Sequence, residues 1–238
     1  KAAEQLLGSW TADGAGPVSI LPVPSPSRTV HFIDRPGAAQ SEIRLAFLGP
    51  PRTTEDYDVL EVLNTVLGGG FSGRLNLNLR EDKGYTYGAF SSIRYGIVQS
   101  LFLSSAPVES TVTRDAILEM LKEIEDLHQW RRPVTSQELT HAKENLVRGF
   151  AQRFETLSQI AGEIAELEGF GRDPSELRDY TAGVESVTED MLEEAARRYL
   201  DSSQSILVVV GDKAKIAEDL LRLDLGPVVR LDADGDPI

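Results

Sequence analysis

The 238 residues carry 24 Lys plus Arg against 38 Asp plus Glu, a formal charge of -14 with a pI near 4.7. That balance disfavours a nucleic-acid partner, because affinity for a phosphate backbone depends on clustered cations. An apolar content of 41% fits a globular chain with a sizeable core, and the absence of Cys excludes disulfides, thiolate metal sites and thiol nucleophiles.

The start, Lys1-Ala2-Ala3-Glu4, has neither Met nor an apolar signal core, and Gly8 stops a short helical stretch. Residues 1–10 therefore read as the end of an interdomain linker helix in a chain excised from a longer polypeptide. Val18-Ser19-Ile20-Leu21, Thr29 to Ile33 and Ile43 to Leu48 are short, rich in branched residues and bounded by Pro or Gly, so each is a strand candidate. From Thr54 the period turns helical, with Val59, Leu60, Leu63, Val66 and Leu67 on one face and Gly68-Gly69-Gly70 at the end. A second helix is expected from Ser72 to about Glu81. Tyr85 to Tyr95 and Ile97 to Ala106 alternate around Gly96 and read as an antiparallel hairpin.

Ile117, Met120, Leu121, Ile124 and Leu127 mark an amphipathic helix ending before Pro133, and Thr135-Ser136-Gln137-Glu138 is a cap for the next. An apolar stripe from Leu139 to Leu167 predicts one long or broken helix. Shorter helices follow at Ser175 to Ala182 and Thr188 to Leu200, then the buried-strand run Ile206 to Val210 and a helix from Lys213 to Leu223. The expected fold is α+β, a single domain over residues 11–231 with a mostly antiparallel sheet and helices packed on one face. Residues 232–238 read as a disordered acidic tail, since Asp232-Ala233-Asp234-Gly235-Asp236 lacks the bidentate Glu of a calcium loop. No stretch approaches the roughly eighteen apolar residues of a membrane span. The chain reads as soluble, periplasmic or cytoplasmic if bacterial.

The common catalytic arrangements are missing. A zinc site needs three converging ligands, yet the only His are His31, His128 and His141, and His141-Ala142-Lys143-Glu144-Asn145 has Asn where a second imidazole would stand. Gly70-Phe71-Ser72-Gly73 places its second Gly too early for a nucleophile elbow and follows a helix rather than a strand. Gly68-Gly69-Gly70 lacks the ending of a phosphate loop.

Residues 63–92 carry a more specific pattern. A helix ends in Leu67-Gly68-Gly69-Gly70, a short Ser72-Gly73-Arg74-Leu75 helix follows, then Leu79-Arg80-Glu81, Gly84 and Tyr87. This segment resembles the signature of the pitrilysin family of zinc metallopeptidases, which includes insulysin and mitochondrial processing peptidase, and the order of elements over most of the chain is similar to the family's domain layout. Members contain related domains in tandem, one with the zinc motif and one without; this chain resembles the zinc-free one, the non-catalytic member of the metallohydrolase-like pair. The resemblance implies no catalytic residue, metal or cofactor in this chain, with zinc on a partner catalytic domain in the same chain or a separate subunit, and a peptide as substrate. It also implies that Arg80 and Tyr87 reach the substrate. A guanidinium can donate a fork of hydrogen bonds to a peptide carbonyl, and a phenol can donate to the oxyanion of peptide hydrolysis. Arg80 as a helix-end cation and Tyr87 as a strand-face aromatic are the structural alternatives, and Tyr85 is the rival if the register differs. As a whole, the chain is then a substrate-clasping domain of a metalloendopeptidase or, alternatively, a catalytically dead structural or partner-binding module.

Overall fold

The computed structural model describes residues 2–10 and 20–238. Strands β1 (Thr29–Asp34), β2 (Gln40–Gly49), β3 (Phe90–Arg94), β4 (Ser100–Glu109), β5 (Ser205–Gly211) and β6 (Val228–Leu231) form one sheet in the order β3-β4-β2-β5-β1-β6. The ladders from β3 through β4 and β2 to β5 are antiparallel, whereas β1 lies parallel to both β5 and β6. The sheet is thus mixed, with an antiparallel majority.

Alternation along each strand sorts the two faces. Val30, Phe32, Ile43, Leu45, Phe47, Phe102, Ala106, Leu207 and Val209 are buried on one side, and Phe47 stacks on Phe102 with centroids 4.7 Å apart. The opposite side, with His31, Arg44, Leu101 and Val208 among its residues, is only partly covered.

Helices fill the buried side. After α1 (Ala2–Leu7) they are α2 (Tyr57–Leu67), α3 (Arg74–Asn76), α4 (Thr113–His128), α5 (Ser136–Gln152), α6 (Leu157–Gly169), α7 (Glu176–Ser186), α8 (Glu189–Tyr199) and α9 (Lys213–Leu221). Leu60, Leu63, Ile117, Ile124, Leu127 and Leu192 from α2, α4 and α8 join the sheet residues in one continuous core. The start of α2 is tied to α8 through Asp56, whose carboxylate accepts from the Tyr199 hydroxyl at 2.6 Å and from Arg198 at 3.1 Å.

The helical stripe from Leu139 to Leu167 is broken, and a second capping box explains where. Thr156 Oγ1 accepts from the Gln159 amide while Gln159 Oε1 accepts from the Thr156 amide, so the chain is recapped as α6.

Four expectations need correction. Val18 and Ser19 lie outside the described residues, while Ile20 and Leu21 run as exposed irregular chain. The first hairpin strand is shorter and the second is displaced toward the C-terminus, because residues 85–89 leave the sheet and Gly96 does not close the turn directly. A sixth strand, β6, lies beyond α9, where no element was expected. Finally, the acidic tail folds back: Asp232 Oδ1 accepts from the amides of Asp234 and Asp236, each at 2.9 Å, and Ile238 N donates to the Arg230 carbonyl at 3.0 Å.

Candidate substrate-facing site

Close packing of glycines builds the base of the site. Both Gly68 N and Gly69 N donate to the Asn64 carbonyl at 2.8 Å, which ends α2, and Gly68 O then accepts from Ser91 N on β3 at 2.8 Å. A Cβ on Gly68 would lie 2.7 Å from that same Ser91 nitrogen, and one on Gly73 would lie 2.7 Å from Gly68 Cα. Only hydrogen at both positions lets the loop fold this tightly. Phe71, between them, is left 65% exposed.

The helix that leaves the loop is anchored at its start. Arg74 is 3% exposed; its guanidinium donates to both Glu138 oxygens at 2.7 and 3.0 Å and to the carbonyls of Arg132 and Pro133. Glu138 is also the closing residue of the predicted capping box, accepting from Thr135 N at 2.9 Å. Burial alone would raise the Glu138 pKa, but donation from Arg74 and from the Thr135 amide outweighs it and holds the carboxyl at about 2.

After α3 the helix widens into a π-helical turn over Leu77–Asp82. Leu75 and Leu79 stay buried, and the Asn78 side-chain amide donates to Glu119 at 2.9 Å and Glu123 at 2.7 Å. Arg80 emerges from this turn with its side chain 40% exposed. Among the described residues its one ion pair is to the neighbouring Glu81 at 3.4 Å, and its guanidinium carbon lies 5.3 Å from the Phe71 ring centroid.

Gly84, at φ +66°, then reverses the chain. Tyr85 is half-buried and packs against the core. Thr86 is buried, donating through its hydroxyl to Pro107 O at 2.5 Å and accepting from Gly88 N at 3.1 Å. Tyr87, between these two fixed points, is 88% exposed. Because residues 85–89 are not strand, Tyr85 and Tyr87 do not share a strand face as expected; one ring turns inward and the other to solvent.

Two aromatic rings lie between the segments that carry Arg80 and Tyr87. Phe71 packs edge-on against Phe90 at 5.3 Å and 86°. Phe90 in turn occupies the space where a Gly88 side chain would be, since a Cβ there would come within 2.5 Å of its Cε2. Both rings fall within the family-like segment 63–92, and neither has a role that the sequence alone assigns.

Histidine does not gather anywhere. His31 is on β1, His128 ends α4 with Nδ1 3.3 Å from the Ala196 carbonyl, and His141 is on α5. Among the described residues no group of three or more His, Cys, Asp or Glu is arranged to hold a metal. These residues do not fit a zinc ion.

A larger cavity, about 500 Å³, lies between α2, α5, α6 and α7 and is lined in part by Arg52, Tyr57, Asp58, Arg153, Glu163 and Tyr180. Its cations are already engaged: Arg52 pairs with Glu176 at 3.3 Å and lies 3.5 Å above Tyr57, and Arg153 pairs with Glu163. Burial raises the pKa of Asp58 and pushes the Tyr57 hydroxyl up to about 12. The wall is internally compensated.

The sequence profile of the peptidase M16 inactive domain matches residues 1–146. The chain belongs to this family. An uncharacterized zinc protease of Streptomyces coelicolor is 28% identical over 181 residues, covering 76% of this chain and 39% of that protein. The fold is similar to that of a peptidase M16 inactive domain from Pseudomonas fluorescens (TM-score 0.75, 23% identity, 84% of this chain and 47% of that one). It is equally similar to a protease from Helicobacter pylori (TM-score 0.75, 24% identity, 84% of this chain and 48% of that one). The chain therefore spans about two fifths of that zinc protease and about half of each of these structures. The matched domain is the non-catalytic, inactive domain of a zinc protease family. Among the described residues no helix is long and apolar enough to cross a membrane.

Proposed function

We propose that this M16 domain clasps a peptide against a zinc site carried by another domain of the same protein or by a partner subunit, with Arg80 and Tyr87 as its contacts. The observation that carries the reading is the outward phenol of Tyr87, 88% exposed although Thr86 and Gly88 on either side are held by hydrogen bonds. A phenol exposed in this way is free to donate to the oxyanion that forms when a scissile carbonyl is attacked. Arg80, which among the described residues pairs only with Glu81, keeps donors free for a peptide carbonyl. The same reading takes residues 11–231 as the domain proper, with residues 1–10 ending an interdomain helix.

Steady-state kinetics of the complete protein on an unstructured peptide test it. Tyr87→Phe keeps the ring and removes the donor, so turnover falls about 100- to 1,000-fold. Arg80→Ala raises KM and lowers kcat together, because its contacts form before and during the chemistry. Zinc content stays constant in both. Wild-type turnover in Tyr87→Phe would end the oxyanion role, and a slow Tyr85→Phe beside a normal Tyr87→Phe would transfer that role to the inner ring. Wild-type rates in every variant would favour a purely structural module.

A further inference from the structure

An exposed arginine on a helix end is a poor instrument for binding unless something fixes it. A free guanidinium side chain carries about 2 kcal/mol of rotamer entropy. The ion pair with Glu81, between adjacent residues on the surface, restrains it weakly. What remains beneath Arg80 is the Phe71 ring, with the guanidinium carbon 5.3 Å from its centroid.

We propose that Phe71 is a positioning residue for Arg80, and that the chain of contacts Gly88–Phe90–Phe71–Arg80 sets the guanidinium relative to Tyr87. This rests on the reading of Arg80 as a substrate contact. Each link is physical. Gly68 and Gly73 pack closely at the two ends of the loop that carries Phe71, so the ring is presented from a tightly folded backbone. Phe90 meets Phe71 edge to face at 5.3 Å, the geometry that aromatic quadrupoles favour. Gly88 lets Phe90 lie against the backbone of the residue that follows Tyr87. The face of Phe71 then attracts the cation above it. Arg80 and Tyr87 leave the fold on separate segments, a π-helical turn and an irregular stretch, and the ring pair is the bridge between them.

Four variants of the complete, zinc-loaded protein decide the matter: Phe71→Leu, Phe71→Tyr, Arg80→Ala, and Phe71→Leu combined with Arg80→Ala. The readouts are kcat, KM, zinc content and melting temperature. Leucine keeps an apolar side chain but has no π face. It should lower kcat/KM about two- to five-fold, the reach of an exposed cation–π contact, with KM and kcat moving in the same directions as in Arg80→Ala. Phe71→Tyr should restore wild-type kinetics, and Phe71→Leu should cause no further loss once Arg80 is gone. Equal losses with and without Arg80 would overturn the positioning role, as would a lowered melting temperature that accounts for the lost activity. Wild-type kinetics in Phe71→Leu beside a slow Arg80→Ala would overturn this inference and leave the function standing. Wild-type kinetics in Arg80→Ala would remove the function on which it depends.

Discussion

Arg74 and Arg80 leave the same short helical segment, yet the fold uses them in opposite ways. The base of the segment is sealed: Arg74 is 3% exposed and four of its five N–H donors are taken, two by a carboxylate and two by carbonyls. At the tip, Arg80 is 40% exposed, leans on a ring and, among the described residues, pairs only with its neighbour. Arginine is suited to both tasks because its planar fork can be locked by fixed acceptors or presented to incoming ones. What separates the two is whether acceptors from elsewhere in the chain already fill the fork. Arg52 repeats the lesson across the molecule, held by Glu176 and Tyr57 at the wall of the large cavity.

The contrast is breakable by stability measurements. Arg74→Ala leaves two carbonyls and Glu138 without their donor and opens space in a buried layer, so it should destabilise the domain by about 3 kcal/mol, read from denaturant midpoints. Gly68→Ala comes next, at about 1 to 3 kcal/mol. The new methyl would press on Ser91 N at 2.7 Å and Leu75 Cδ1 at 2.9 Å. Gly70→Ala, where nothing lies within 4 Å, is the matched control. Arg80→Ala should change stability by no more than about 0.5 kcal/mol; a loss equal to that of Arg74→Ala would abolish the distinction.

Acid sharpens the same comparison. The Glu138 carboxyl is held at about 2, below its ordinary value of 4.5. A depressed acid contributes stability that is fully present above the unfolded value and is lost as pH falls from about 4.5 toward 2. In a pH series over that window the wild-type protein should lose stability more steeply than Glu138→Gln. Equal slopes would show that the sealed end of the segment is not where protons enter.

Much of this architecture could be read from local signals. Thr135 and Glu138 announce their cap by spacing, and the period of α2 and α4 marks their buried faces. Thr156 and Gln159 carry the same kind of signal at the break between α5 and α6, hidden within a continuous apolar stripe. The misreadings are of another kind. Tyr85-Thr86-Tyr87 alternates like a strand, but the Thr86 hydroxyl reaches Pro107 and leaves the segment outside the ladder. β6 has too few residues to show a period, and its parallel partner β1 lies nearly the whole chain away. At the site, Arg80 and Tyr87 were legible only through a family pattern. The role of Phe71 was not legible, because its ring meets Arg80 and Phe90 through the fold of a loop.

One bond made by the glycine loop has a bearing on solubility. β3 is the outermost strand on its side of the sheet, and the free amides of such a strand invite pairing with another molecule. Here Ser91 N already donates to Gly68 O at 2.8 Å, and the strand is only 5 residues long. The glycine loop thus also guards an open flank against edge-to-edge aggregation.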